Sequence, residues 1–323
     1  MANSLKISIA LCTFNGERFI HEQLQSILGQ TRLPDELVVC DDGSTDRTVE
    51  IIERFAASSP FAVRITCNST KLGPAQNFGQ AVALCNGDLI AFCDQDDRWI
   101  PEKLSRFENA FVADSSLAYA FSDARMCDEA GMDLGYRLWT SIYFVGRLRR
   151  MFDAGKAFEV LLRQNVATGA TLCFAAKYRS LILPIDRNWM HDGWTALLLS
   201  AVGRGLAIAE PLVTYRQHPN QSIGAARRSM YQQYLNAKNM GLMVFAEQAD
   251  AYEAALARLQ EQTDYEVPMA VIEGLQEKIK HCRLRSAIRL RKASKISAVP
   301  ELVSLRYRRF SLGWKSFAQD LFL

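Results

Sequence analysis

Three times within its first 90 residues the chain passes from a short apolar run, through a polar loop, into a helical period. Residues 7–12 lead through Thr13-Phe14-Asn15-Gly16-Glu17 to apolar positions at Phe19, Ile20, Leu24, Ile27 and Leu28. Residues 37–40 close on Asp41-Asp42-Gly43-Ser44-Thr45-Asp46 before a helical pattern over 48–55, and residues 62–66 precede Lys71-Leu72-Gly73-Pro74 and a helix from about Ala75 to Leu84. A fourth strand, Leu89 to Cys93, follows. Buried strands separated by helices of about ten residues need crossover connections. The predicted class is therefore α/β, a doubly wound, mostly parallel sheet with helices on both faces.

In such a sheet ligands bind beyond the carboxyl ends of the strands. Here those ends present Thr13-Phe14-Asn15, Asp41-Asp42 and Asp94-Gln95-Asp96-Asp97. Three carboxylates within four residues at the end of a buried strand cost several kcal/mol unless a cation meets them. Mg²⁺ or Mn²⁺ with a substrate phosphate is the chemistry that suits oxygen ligands. A solvated acidic turn is the plain alternative, and Asp97, lying before Pro101, is read as a cap for the next helix. Neither GxGxxG after the first strand nor GxxxxGK[ST] occurs.

Beyond Trp99 the pattern loosens. Leu117 to Phe121 and Gly169 to Phe174 read as strands, while residues 136–164 are basic and aromatic without a clear period. Trp189-Met190-His191-Asp192-Gly193-Trp194 opens an apolar helix over 195–202, a short strand near 206–209 and Val213 to His218 follow, and long helical patterns run over 228–262 and 268–296.

With 49% hydrophobic and 23% charged residues, the composition is that of a globular protein and excludes disordered or fibrous classes. No apolar run approaches the roughly 18 residues of a membrane span, and the N-terminus does not read as a signal peptide, so a cytoplasmic location is expected. Eight cysteines without a CxxC pair read as reduced core residues. Net charge is +3, but residues 278–315 carry twelve Lys or Arg against one acid. Residues 1–277 hold 26 basic and 33 acidic side chains, a net of −7. An acidic body with a basic tail implies an anionic partner for the tail.

The segments from Thr13 to Arg18, Asp41 to Asp46, Leu72 to Phe78 with Gly87-Asp88, and Asp94 to Trp99 resemble, in order and spacing, the inverting nucleotide-sugar glycosyltransferases of family two, which have the GT-A fold. Trp189 to Trp194 and Tyr215 to Ser222 look like the second half of bacterial members that build surface polysaccharide (O-antigen or capsule), rhamnosyltransferases among them. The resemblance implies a catalytic region over 1–225, with a nucleotide-binding half (1–105) and an acceptor half (106–225), followed by a helical, basic region over 226–323. It implies a UDP- or dTDP-sugar donor, with dTDP-rhamnose favoured, and a saccharide acceptor carried on a polyprenyl diphosphate.

By the same resemblance Phe14 stacks on the pyrimidine and Asp42 hydrogen-bonds its edge, suiting a flat apolar ring and a carboxylate acceptor. Thr13, Asn15, Glu17 and Asn77 line the nucleotide site, and Arg216 and the Gly73 loop are candidates for the diphosphate. Asp96 is the metal ligand of the DxD motif, with Asp94 beside it and His218 a further candidate, for Mg²⁺ or Mn²⁺. Asp192 is the general base, kept ionised by a helix N-terminus, and His191 its helper. The plain reading of Asp192 is a helix cap, and of Phe14 a core aromatic.

Cationic helices ending in Trp, Phe and Leu suit an anionic membrane surface, with a solvated face or an oligomer contact as the alternative. Two other functions compete with this reading. A nucleotidyltransferase calls for a Gly-rich basic loop after the first strand, where Asn15-Gly16-Glu17 stands. A nucleic-acid-binding protein fits the basic tail but not the acidic body, so no nucleic-acid partner is expected.

Overall fold

The computed structural model describes residues 4–219 and 241–322. Its first half is the alternation read above: β1 (Ile7–Thr13), α1 (Ile20–Leu28), β2 (Glu36–Asp41), α2 (Thr48–Ser58), β3 (Ala62–Cys67), α3 (Pro74–Leu84) and β4 (Leu89–Cys93). β1, β2 and β4 are buried along their whole length, as strands covered on both faces must be. β1 pairs in parallel with β2 and with β4, and β2 in parallel with β3. The order β3-β2-β1-β4 thus brings the ends of β1, β2 and β4 side by side.

The second half comprises β5 (Arg98–Trp99), α4 (Lys103–Ala113), β6 (Leu117–Cys127), β7 (Asp133–Arg137), α5 (Leu138–Ser141), α6 (Arg147–Asp153), α7 (Ala157–Arg163), β8 (Leu172–Ala175), α8 (Arg179–Ile182), α9 (His191–Val202) and β9 (Arg204–Arg216). β8 joins the halves, antiparallel to both β4 and β6. β6 runs parallel to β9, which carries the register onward to β5. The irregular stretch at 136–164 folds into α5 to α7, which bury Trp139, Phe144, Leu148 and Phe152 as an aromatic plug under β6.

The last elements are α10 (Val244–Glu261), α11 (Met269–Arg289), α12 (Ala298–Val303), α13 (Arg306–Phe310) and α14 (Trp314–Phe322). Ala255, Leu259, Val271, Leu275 and Phe310 belong to the same core as the sheet. The boundary read at 225/226 and the start of the 228–262 pattern lie outside the described residues. No helix among the described residues is long and apolar enough to cross a membrane.

Candidate active site

A cavity of about 280 Å³ opens where the ends of β1, β2 and β4 meet the N-terminus of α9 and the end of β9. It is lined on one side by Thr13, Phe14, Asp42 and Asn77, at its floor by Asp94, Gln95 and Asp96, and opposite by Thr168, Gly169, His191, Asp192, Tyr215 and His218. Residues from seven separate segments converge there.

The wall at the ends of β1 and β2 is built by carboxylates that hold loops. Asp42 is buried and accepts from the backbone N–H of Leu72 (2.7 Å) and Gly73 (2.9 Å) and from Asn68 Nδ2 (3.1 Å). Gly73 has φ +83°, a left-handed conformation natural to glycine, just before Pro74 starts α3. Asn77 donates from Nδ2 to the Cys40 carbonyl and accepts from Asn68, and Thr13 Oγ1 donates to Asp41. Phe14 is 37% exposed at the rim, not a core aromatic. Lys71 Nζ lies 3.5 Å from its ring centroid, a cation–π contact. Gln95 clips this loop to the acidic run: its Oε1 accepts from Phe14 N (2.9 Å) and its Nε2 donates to Phe14 O (3.1 Å).

At the floor, Asp96 Oδ2 and His218 Nε2 are 2.8 Å apart. Burial, then the charges of Asp96 and Asp192, push the Asp94 carboxyl up to about 7. Asp97 is shifted upward too, by burial and then by Asp96 and Asp94. Lys103 is fully buried, pushed down to about 7 by burial, with Nζ donating to the Ala170 carbonyl at 2.6 Å and lying over the Trp99 ring. Lys103 is the buried counter-charge beneath the acidic run, a role that its place in an ordinary helical pattern did not suggest.

Among the described residues no group of three or more His, Cys, Asp or Glu side chains is already gathered for a metal. The donor set nevertheless fits Mg²⁺ or Mn²⁺. Oxygen and imidazole donors 2.8 Å apart have the spacing of two adjacent ligands of an octahedral ion, about 3 Å for bonds of about 2.1 Å. Asp94 adds a carboxylate whose raised pKa reports that its charge is under-compensated.

Across the cavity, α9 begins at His191 after Met190, so Asp192 sits in the first turn and is not the cap. Its Oδ2 accepts from Gly169 N (3.0 Å), and its Oδ1 accepts from Asn165 Nδ2 (3.2 Å) and Gly193 N. Burial outweighs these donors and raises its pKa to about 6. The helix N-terminus does not keep it low, yet the carboxylate remains largely ionised at neutral pH. His191 is stacked on Phe78 at 3.7 Å and meets Phe92 edge-on, and neither ring nitrogen has a hydrogen-bond partner among the described residues. Burial drives its pKa down to about 3, so it lines the pocket as a neutral ring.

Three sequence expectations are redirected. Asp97 caps nothing: α4 starts at Lys103 after Glu102, and Asp97 is buried, accepting from Arg216 N at 2.9 Å. Arg216 does not line the cavity. Its guanidinium donates to the Asp96 and Glu129 carbonyls and to Glu22, above the Phe19 ring, so it braces the acidic loop from behind. Asn15 and Glu17 also stay outside the lining, tied to Thr45 and Arg47 of the β2–α2 loop. Conversely Gln95, Lys71, Gly169 and Tyr215 line the cavity, though the sequence pattern does not mark them as site residues. Gln95 alone carried a signal, its position inside the acidic run.

The Glycosyl transferase family 2 model matches residues 8–166. An uncharacterized glycosyltransferase of Nostoc sp. (strain PCC 7120) is 32% identical over 242 residues, covering 71% of this chain and 70% of its own length. The dTDP-rhamnosyl transferase RfbG of Shigella flexneri is 36% identical over 114 residues, 34% of this chain and 39% of its own length. In fold, the chain is similar to the mannosyltransferase PcManGT of Pyrobaculum calidifontis, solved in complex with GDP-Man and Mn²⁺, with a TM-score of 0.53 at 16% identity, covering 94% of this chain and 75% of that one. The parallel half-sheet, the acidic strand end and these relatives agree: the chain is a member of glycosyltransferase family 2 with the GT-A fold.

Proposed function

We propose that the protein is an inverting glycosyltransferase moving a sugar from a UDP- or dTDP-sugar, with dTDP-rhamnose the favoured donor, to a saccharide acceptor in the synthesis of bacterial surface polysaccharide. The observation that carries this is the convergence of Phe14, Asp42, Asp94, Asp96, His218 and Asp192 on one cavity. The similarity to RfbG favours the rhamnosyl donor.

In this reading Phe14 takes the base on its ring as Lys71 swings aside, and Asp42 keeps the 72–73 loop against the nucleoside. Asp96 and His218, with Asp94 beside them, hold Mg²⁺ or Mn²⁺, which when bound supplies positive charge against the departing diphosphate. Asp192 takes the proton from the acceptor hydroxyl as that oxygen attacks the anomeric carbon from the face opposite the diphosphate, giving inversion. Gly169 N–H and Asn165 hold the carboxylate in place. The neutral His191 ring and its aromatic neighbours form a rigid, uncharged wall next to the base.

A second cavity, about 790 Å³, shares Lys71, Pro74 and Met190 with the first and is lined further by Gly79, Arg187 and Trp189. It is the route by which the acceptor reaches Asp192, its lipid-linked end lying at the inner face of the cytoplasmic membrane. The test is release of nucleoside diphosphate from a panel of sugar nucleotides, with the anomeric configuration of the product read by NMR. An inverted linkage from a UDP- or dTDP-sugar is expected; retention of configuration contradicts the single displacement by Asp192.

A further inference from the structure

Part of the positive charge of the C-terminal region is spent on partners within the fold. Arg283 pairs with Asp250 and Glu253, Arg285 with Asp320, and Arg306 with Glu277 and Glu301. Lys278 is buried and donates to the Phe310 carbonyl, and Lys295 donates to the Leu321 carbonyl. The helix α11 is therefore a packed element, and its charge count overstates what it offers an anionic partner.

Three arginines, two of them outside that region, make no such ion pair among the described residues. Arg163, at the end of α7, donates from Nη1 to the carbonyl of Arg308 at 3.0 Å, joining α7 to α13. Arg147, at the start of α6, is close enough that it and Arg308 both disfavour the charge on Arg163, after the larger effect of burial. Arg147 and Arg308 are exposed, and none of the three arginines pairs with a described carboxylate. Next to them Lys315 lies 5.9 Å from the Tyr143 ring centroid, which brings the start of α14 against the loop before α6. The same neighbourhood exposes large apolar side chains: Tyr143 (52%), Val145 (48%), Leu312 (52%) and Trp314 (70%).

We infer that the 143–147 loop, Arg163 and residues 308–315 form one composite surface that docks on an anionic phospholipid bilayer. Tyr143, Val145, Leu312 and Trp314 enter the headgroup layer, and Arg147 and Arg308 meet lipid phosphates. Mixed aromatic and cationic side chains on one face are what an interfacial site requires, because burying the apolar groups and neutralising the charges are satisfied together. An exposed Trp on the same short helix as Lys315, which reaches Tyr143, also disfavours a purely solvated face. The inference rests on the proposal that the acceptor is lipid-linked and extends it to a named surface, half of it outside the C-terminal region.

The test is co-sedimentation of the full-length protein with vesicles of phosphatidylcholine alone or with about 30% phosphatidylglycerol. Nucleoside diphosphate release and self-association by analytical ultracentrifugation are measured in parallel. Wild-type protein should sediment only with the anionic vesicles, and less at high salt. Arg147→Glu and Arg308→Glu should each weaken partition at least fivefold, as expected from about 1 kcal/mol per charge near such a surface. Tyr143→Ser and Trp314→Ser should weaken it too, with melting temperature unchanged. Loss of binding only in the Arg308 and Trp314 variants would overturn the composite surface and leave membrane attachment by the tail standing. Absence of wild-type binding to anionic vesicles would overturn attachment itself, and catalysis would be judged by the separate release assay. Self-association abolished by the same four substitutions would assign the surface to a second copy and overturn the inference.

Discussion

Asp192 Oδ2 accepts a hydrogen bond from the backbone amide of Gly169 at 3.0 Å, and the residue before Asp192, His191, fills the space where a side chain at 169 would project. One glycine thus aims the candidate base and leaves room for the ring beside it. Gly169→Ala should push His191 off Phe78, cost about 1–3 kcal/mol of stability by overpacking, and lower kcat more than it raises KM. Thermal melts and steady-state kinetics read both effects.

With its pKa raised to about 6 by burial, Asp192 must lose its proton before it can accept one. The rate should therefore climb about tenfold per pH unit below 6 and level off above it. Asp192→Asn should lower kcat by about 10²–10⁴ with the circular dichroism spectrum unchanged. A pH–rate profile of both proteins checks the assignment.

Phe14 stands at the rim, 37% exposed, with the Lys71 ammonium over its ring. Phe14→Ala should raise KM for the donor about threefold to tenfold, the range for loss of an aromatic stack. Turnover at saturating donor should change little. Isothermal titration with the nucleoside diphosphate separates binding from chemistry.

Asp94 has a folded-state pKa of about 7, above its unfolded value near 3.8. Between those values the folded state binds more protons, so this carboxylate's contribution to stability declines as pH rises from about 4 to about 7 and stays unfavourable above. In EDTA, Asp94→Asn should therefore raise the melting temperature relative to wild type more at pH 8 than at pH 5, by on the order of 2–4 °C. Differential scanning calorimetry at the two pH values measures it.

The parallel half of the fold was legible because β1, β2 and β4 are buried on both faces and read as unbroken apolar runs closed by polar loops. The antiparallel joining strand β8 reads as a strand, but its partners do not show in the sequence, since pairing between segments far apart along the chain leaves no local trace. At the site, Asp96, Asp192 and His218 stood out as charged or titratable groups at strand and helix ends. Gln95 and Gly169 work through backbone hydrogen bonds and empty space, which carry no compositional signal. Arg216 misled for the converse reason. A buried arginine spends its fork on carbonyls and Glu22, and only packing reveals which way it points.

The most direct test of the account is nucleoside diphosphate release from the preferred donor, compared with and without EDTA, in wild type, Asp96→Ala and Asp192→Asn. Turnover should stop in EDTA, return with Mn²⁺ or Mg²⁺ in the wild type but not in Asp96→Ala, and fall by at least a hundredfold in Asp192→Asn. Metal-independent turnover that Asp96→Ala leaves intact, or a fully active Asp192→Asn, would contradict it.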